Sequence, residues 1–462
     1  MQSRFAVLSL LLVGVVGSGA IACGGASGVL SNNGSLGASN ASQITTVELK
    51  NCNPSTRPVI SEGPFLAEAK DNNGSILSVP ITFQSTRPDI ASISGGLLKT
   101  YYPGQTTITA SSGGVTSAPC NLAVLPPSNT QTVLQLTDNQ EDDSWGQNNN
   151  GSTLSRGKVL WRHFTPNGDA DVMMGDVSGN VAPLKTVAGG DVDFMLLGSG
   201  ASPHKTLAAW RENLSNTFVS DDGASPSPLG AQLQEENSIA DGCFFFRRGQ
   251  PDNDILRYNP MGLKTVSQNG DLFNPVTSQC KAVYELQQNG MSTLIYFDGA
   301  NETPVAIGLP LFPRFDFREG KIVYAQGGDI FLYDATAANP QAVNLTNDPN
   351  GANNFPKTDG HSVVFTRNHN NFYDVVLYDI ATGTLKVVST TSGPKNGNSL
   401  RLDLSQAIWM EGSDLFFYDG NATAPVNPFP ATGVEEAYLS EGVVAWHGPT
   451  GPATDHEIFI LK

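Results

Sequence analysis

Between Lys158 and Trp446 a short apolar run ends in a large aromatic eight times, at Trp161, Trp210, Phe246, Tyr284, Tyr324, Phe365, Trp409 and Trp446. Read from the numbering, the aromatics recur every 36 to 49 residues, the length of a four-stranded unit and too short for a separate domain. About ten residues after each aromatic comes a second apolar stretch, often opened by Asp and closed by a turn such as Asp298-Gly299 or Asp419-Gly420. These turns carry the Asp and Gly that tight hairpins need for positive φ. The pattern predicts an all-β chain dominated by a β-propeller, with the aromatic run as second strand and the following run as third strand of each blade.

Composition supports strands and turns. The chain of 462 residues has 48 Gly, 29 Pro and only 15% charged residues, and no stretch after residue 22 sustains an apolar period of 3.6. A formal net charge of −17, with no basic run, excludes nucleic-acid binding and adsorption to anionic lipid. At the N-terminus, Arg4 precedes the apolar run 5–16 and the small residues 17–22, which reads as a secretory signal over 1–22. The small residues ending at Cys23 resemble the lipobox of bacterial lipoproteins, with Ala20 where Leu is commoner. That resemblance implies lipidation at Cys23; the alternative is an ordinary signal cleaved near Ala22. A Gly/Ser/Asn-rich tether then spans 23–44.

Four cysteines remain in an oxidising compartment. Cys52 with Cys120 and Cys243 with Cys280 is, of three connectivities, the one that keeps each bridge local, although the second pair could equally be two buried thiols. Residues 45–126 alternate apolar and polar between turn signals such as Gly95-Gly96 and Gly113-Gly114, which predicts a small β-sandwich. The run ITFQSTRPDIASIS at 81–94, with Gly104, Ile108, Thr109 and Ala110, resembles the group 2 bacterial immunoglobulin-like domain, Phe83 standing where that family has Trp. The resemblance implies a spacer or adhesion module.

The propeller is expected over 127–462, with eight blades favoured and seven possible if 186–236 is not a blade. TVLQLT at 132–137 reads as a fourth strand that closes the last blade, which removes the open sheet edges. Asp329 to Asp334, Asp374 to Asp379, Asp414 to Asp419, and Asn344-Leu345-Thr346 with Pro356 and Asp359-Gly360 resemble the WD-type propeller repeats of the TolB family. By that resemblance a scaffolding role in the periplasm is implied.

The motifs that would mark an enzyme, Gly-x-Ser-x-Gly, His-Glu-x-x-His and a phosphate loop, do not occur in the sequence. We therefore assign no cofactor, no metal and no catalytic residue from sequence, and read the acidic loop 138–151 as a connection. One distribution stands out: of twelve arginines after residue 22, Arg162, Arg211, Arg247, Arg248 and Arg367 lie one or two positions beyond a repeat aromatic. With His163, His369 and His447 they could ring the mouth of the propeller and take an anionic ligand, or pair with carboxylates and be structural. The favoured reading is a lipid-anchored protein of the bacterial cell envelope, at the outer membrane, whose propeller binds an envelope protein or an anionic glycan. The alternative is a carbohydrate-active lyase or hydrolase acting on an anionic polysaccharide.

Overall fold

Antiparallel hairpins organise the described residues. The computed structural model describes residues 43–461 except 53–55, 59–60, 89, 101–103, 126–132, 139–141, 146–151, 190, 201–204, 214–215, 231–232, 249–252, 269, 349–351, 370–371, 390–394, 421–432 and 450–455; at 233–236, 369 and 372 it describes the backbone alone. The expected signal at 1–22, the lipidation at Cys23, the tether up to residue 42 and the junction 126–132 lie outside the described residues. Residues 44–462 form one compact unit.

Beyond three small N-terminal sheets, the described residues form eight antiparallel sheets that follow one another along the chain. Blades 1 to 8 span 143–187, 192–228, 233–267, 271–309, 315–344, 353–387, 396–418 and 436–461. Every repeat aromatic lies in a second strand and every following apolar run in a third strand. The stretch 186–236 holds a complete four-stranded blade, Val192–Ser199, Thr206–Glu212, Asn216–Asp221 and Ser227–Pro228, so the count is eight and not seven. Val133–Gln135 adds to His456–Leu461 as the outer strand of blade 8, and the ring closes as the sequence predicts.

Inside the blades the repeat aromatics pack directly against their cross-strand partners. Tyr324 stacks on Phe331, Trp409 on Phe416 and Trp446 on Phe459, at centroid distances of 5.4, 5.7 and 5.5 Å, and each pair sits opposite in register. The indoles of Trp161, Trp210 and Trp409 each donate to a carboxylate, Asp143, Glu212 and Glu411, so a large apolar ring is buried without stranding its N–H.

First and second strands are joined by two-residue turns with positive φ at Arg156-Gly157, Asp241-Gly242, Gln279-Cys280, Glu319-Gly320, Leu404-Ser405 and Glu441-Gly442. These turns also join blade to blade. The N–H of Gln279 donates to Asp241, that of Ser405 to Asp359 and that of Glu441 to Asp403, at 2.7, 2.6 and 2.5 Å. In the two turns that lack Gly, a side chain does a different job. Cys280 forms the disulfide to Cys243 and ties blade 3 to blade 4. Leu404 inserts into the core of the N-terminal β unit among Phe65, Ile90, Leu98 and Leu122.

That unit consists of three small sheets, the largest built on Gly104–Ser112 between Cys120–Leu125 and the strands Val115–Thr116 and Thr82–Ser85. The disulfide Cys52–Cys120 crosses it. Both cysteine pairings expected from sequence are present.

Two measurements test this packing. Trp409→Ala should lower the unfolding free energy by about 3–5 kcal/mol in a denaturant titration, whereas Trp409→Phe keeps the stack and should cost far less. Loss of the Cys243–Cys280 bridge, which closes a loop of 37 residues, should cost about 4 kcal/mol on a chain-entropy account, read as a fall in the thermal midpoint of Cys243→Ser/Cys280→Ser.

Candidate functional site: a cationic central channel

The first strands of the blades face the propeller axis, and they are irregular in a repeated way. Their pairing with the second strand is interrupted between Asp193 and Leu196, Leu233 and Asn237, Phe273 and Val276, Asn354 and Lys357, and Asn396 and Arg401. Those of blades 2, 4 and 6 insert one extra residue, a bulge that bends the strand and re-aims side chains; those of blades 3 and 7 insert two and three. Phe194, Asn274 and Phe355 are left-handed at three of these points, and Phe312 just before the first strand of blade 5, with φ of 47°, 50°, 52° and 55°. Such a conformation costs a non-glycine residue about 1–3 kcal/mol and persists only where neighbours enforce it. Three of the four precede Pro (Pro275, Pro313, Pro356), which has no N–H to lose where the ladder is broken.

Enforcement comes from the position just after the repeat aromatic. Glu285, fully buried next to Tyr284, accepts from Asn274 Nδ2 at 3.0 Å and from the backbone N–H of Phe312 at 2.9 Å. It also accepts from Ser292 Oγ and Gln287 Nε2. One carboxylate thus holds the bulge of blade 4 and the start of blade 5. Arg211 plays the equivalent part in blade 2: its guanidinium is bidentate to Asp193, at 2.8 and 2.6 Å, and lies 4.1 Å over the Phe194 ring. Room for Phe355 is made by Gly397, where a Cβ would lie 2.2 Å from the ring.

The bulged strands enclose a cavity of about 680 Å³ lined by residues of all eight blades. Its ionisable lining comprises Arg314, Arg318, Lys357 and Arg401 against Asp316 and Glu436, a cationic channel through an acidic protein. Arg318 pairs with Asp403 at 3.7 Å. Arg314 lies 4.9 Å over the Phe355 ring and Arg401 5.1 Å over Tyr438, while Arg401 Nη1 donates to the Asn398 carbonyl at 2.6 Å. Among the described residues no carboxylate forms an ion pair with Arg314, Lys357 or Arg401. Burial pushes the Lys357 ammonium below its usual range, Asp316 opposes the shift, and Arg401 and Arg314 reinforce it. Burial raises the Glu436 carboxyl, although Tyr438 Oη donates to it at 2.5 Å. Phe312 stands 58% exposed at the opening, edge-on to Phe273.

The residues singled out from sequence stand behind this wall. Arg162 reaches Asp191 at 3.3 Å and the Val192 carbonyl at 3.0 Å, both at the start of blade 2. Arg247 covers Phe273 of blade 4 at 4.7 Å. Arg248 pairs with Asp254 at 3.6 Å and Arg367 with Asp374 at 3.3 Å. His163 shares Asp143 with the Trp161 indole. The side chain of His369 and most of the acidic loop 138–151 lie outside the described residues. These arginines are therefore engaged with carboxylates, carbonyls and rings, and the structure does not bring them together around one opening. Sequence reasoning missed Arg314, Lys357 and Arg401 because the first strands carry no repeat marker; the recurrent left-handed residue followed by Pro is the signal that would have found two of them.

His447 is buried against Trp145, with ring centroids 4.9 Å apart, and its Nδ1 has no hydrogen-bond partner among the described residues. Burial pushes it down to about 4. Neighbouring His456 is bonded to Asp142 and Glu435 at 3.0 Å each; desolvation opposes its protonation, but the two carboxylates win and raise it. Among the described residues no group of three or more His, Cys, Asp or Glu side chains forms a metal-holding arrangement.

No family model matches the chain, and no curated protein matches it. Solved structures similar to it include oligogalacturonate lyase from Vibrio parahaemolyticus, at 10% identity over 73% of this chain and 94% of that one, with a TM-score of 0.42. The β-propeller domain of the Trilobed protease from Pyrococcus furiosus is similar at 10% identity over 61% and 97%, TM-score 0.41. TolB from Acinetobacter baumannii is similar at 13% identity over 57% and 77%, TM-score 0.32.

The bracket and the buried histidine each give a measurable outcome. Glu285→Ala strands buried donors on two blades and should cost roughly 3 kcal/mol in a denaturant titration, with Glu285→Gln recovering part of it. His447 titrates at its ordinary 6.5 when unfolded and near 4 when folded. Its contribution is therefore present above pH 6.5 and lost as pH falls from 6.5 to 4. His447→Gln should flatten the fall in thermal midpoint across that interval.

Proposed function

We propose that the propeller is a binding platform for an acidic ligand, whose carboxylates enter the central channel and are taken by Arg314, Lys357 and Arg401. The observation that carries the reading is the set of three channel cations with no ion pair among the described residues, in a protein of formal charge −17. A preorganised guanidinium that keeps no internal carboxylate is free to meet an external one bidentately, and the low-dielectric wall strengthens that contact.

In this reading the chain is a lipid-anchored protein of the bacterial cell envelope, at the outer membrane, with Cys23 as the lipidated residue. The β unit over 45–126 is an immunoglobulin-like module beside the propeller over 127–462, and the ligand is carried by an envelope protein or an anionic glycan. Two disulfides in the described residues support an oxidising compartment. A second reading, a lyase or hydrolase acting on an anionic polysaccharide, is favoured by one observation: the hydrogen-bonded Glu436–Tyr438 pair faces the same channel and could serve as acid and base.

The test is titration calorimetry with two probes, a poly-glutamate peptide and an alginate oligosaccharide. Arg314→Glu/Arg401→Glu should weaken binding of the preferred probe by roughly a hundredfold or more, at about 1.5–3 kcal/mol per charged contact. Arg248→Gln should change it only a few-fold, and raising salt should weaken the wild type. Unchanged affinity in the double variant, or no binding of either probe to the wild type, would overturn the proposal. Turnover of alginate that is lost in Glu436→Gln would instead select the enzymatic reading.

A further inference from the structure

Lys357 differs from the other channel cations in kind. It sits on the first strand of blade 6, immediately after the bulge at Phe355-Pro356, with Arg314 on blade 5 and Arg401 on blade 7 to either side. Its ammonium has neither a carboxylate nor a hydrogen-bond acceptor among the described residues, and the half-buried residue lines the channel. The charged groups acting on it are Asp316, Arg401 and Arg314, two cations against one anion. A lysine walled by protein and set beside fixed positive charge loses its proton more readily than a surface lysine, and the neutral amine is a nucleophile.

We propose that Lys357 is a nucleophilic amine that condenses with the carbonyl group of a carboxylate-bearing aldehyde or 2-oxo acid held by Arg314 and Arg401. This inference rests on the anion-binding reading of the channel. The amine lone pair attacks the carbonyl carbon, a C–N bond forms, and the carbonyl π pair moves to oxygen, which is protonated. The nitrogen gives up a proton, for which the Asp316 carboxylate is the neighbouring acceptor. Water leaves as the C–O bond breaks, and the product is an imine, with no oxidant or reductant consumed. The guanidiniums fix the carboxylate of the ligand, and so only a compound with an acid group next to its carbonyl satisfies both parts of the site.

The experiment uses the full chain with glyoxylate as probe, propanal as the uncharged control, and cyanoborohydride to reduce any imine to a stable amine, followed by peptide mapping. At neutral pH and short times, Lys357 should carry the glyoxylate adduct roughly tenfold or more ahead of exposed Lys264, since each unit of pKa depression raises the neutral fraction about tenfold. Propanal should show a smaller preference for Lys357, and Arg314→Gln/Arg401→Gln should remove the preference for glyoxylate. Labelling of Lys357 no faster than Lys264 overturns the inference. If alginate or poly-glutamate still binds in that case, the anion-binding channel stands and only the covalent step falls; if neither binds, both fall.

Discussion

Pairing of Val133–Gln135 with His456–Leu461 is the contact on which the channel depends, because it turns a row of sheets into a ring. A row would leave two sheet edges with unpaired backbone groups, and its end blades would each expose one apolar face. The seam is reinforced where Ile458 N donates to Thr137 Oγ1 at 2.9 Å and Leu136 N to the Ile458 carbonyl at 2.8 Å. Trp145, Trp161 and Trp446 then share one buried cluster that joins blade 1 to blade 8. A closed ring fixes the separation of opposite first strands, and that separation sets the width of the channel.

Within the ring, work is divided between the two sides of each second strand. The repeat aromatic packs between sheets, while the next residue points the other way and braces the channel wall. Glu285, Arg211, Arg162 and Arg247 all occupy that position, and each touches a first strand of its own blade or the next. The arginines beyond the aromatics thus have a structural occupation: they brace first strands at or beside their irregular positions. Left-handed strain at Phe194, Asn274, Phe312 and Phe355, in or just before the first strands of four blades, is the pattern expected of a site kept open against its own backbone preferences.

The opposite turns of the propeller do a second job. Leu404 would be an unfavourable choice for a left-handed turn residue, yet its side chain completes the core of the N-terminal β unit. The Cys52–Cys120 bridge lies in the same core. This unit is therefore seated on blade 7 through a buried apolar contact, and a freely swinging spacer does not fit that contact.

The blades were legible before any folding was considered. Aromatics at a fixed spacing, strands of period two, Asp-Gly turns and cysteines close to equivalent repeat positions are all local features, and each constrains only a hairpin or its neighbour. Eight blades, the closing strand and both disulfides were legible for that reason. The tertiary structure alone decided which charges face the ligand space. Whether an arginine is free or bound depends on a carboxylate that a neighbouring strand supplies, as Asp193 does for Arg211 and Asp191 for Arg162. Arg314, Lys357 and Arg401 lie far apart in sequence, in strands with no marker, and only closure of the ring brings their blades around one cavity. Pairing and burial set the chemistry of a charged group, and both are properties of neighbours that the chain reaches only by folding.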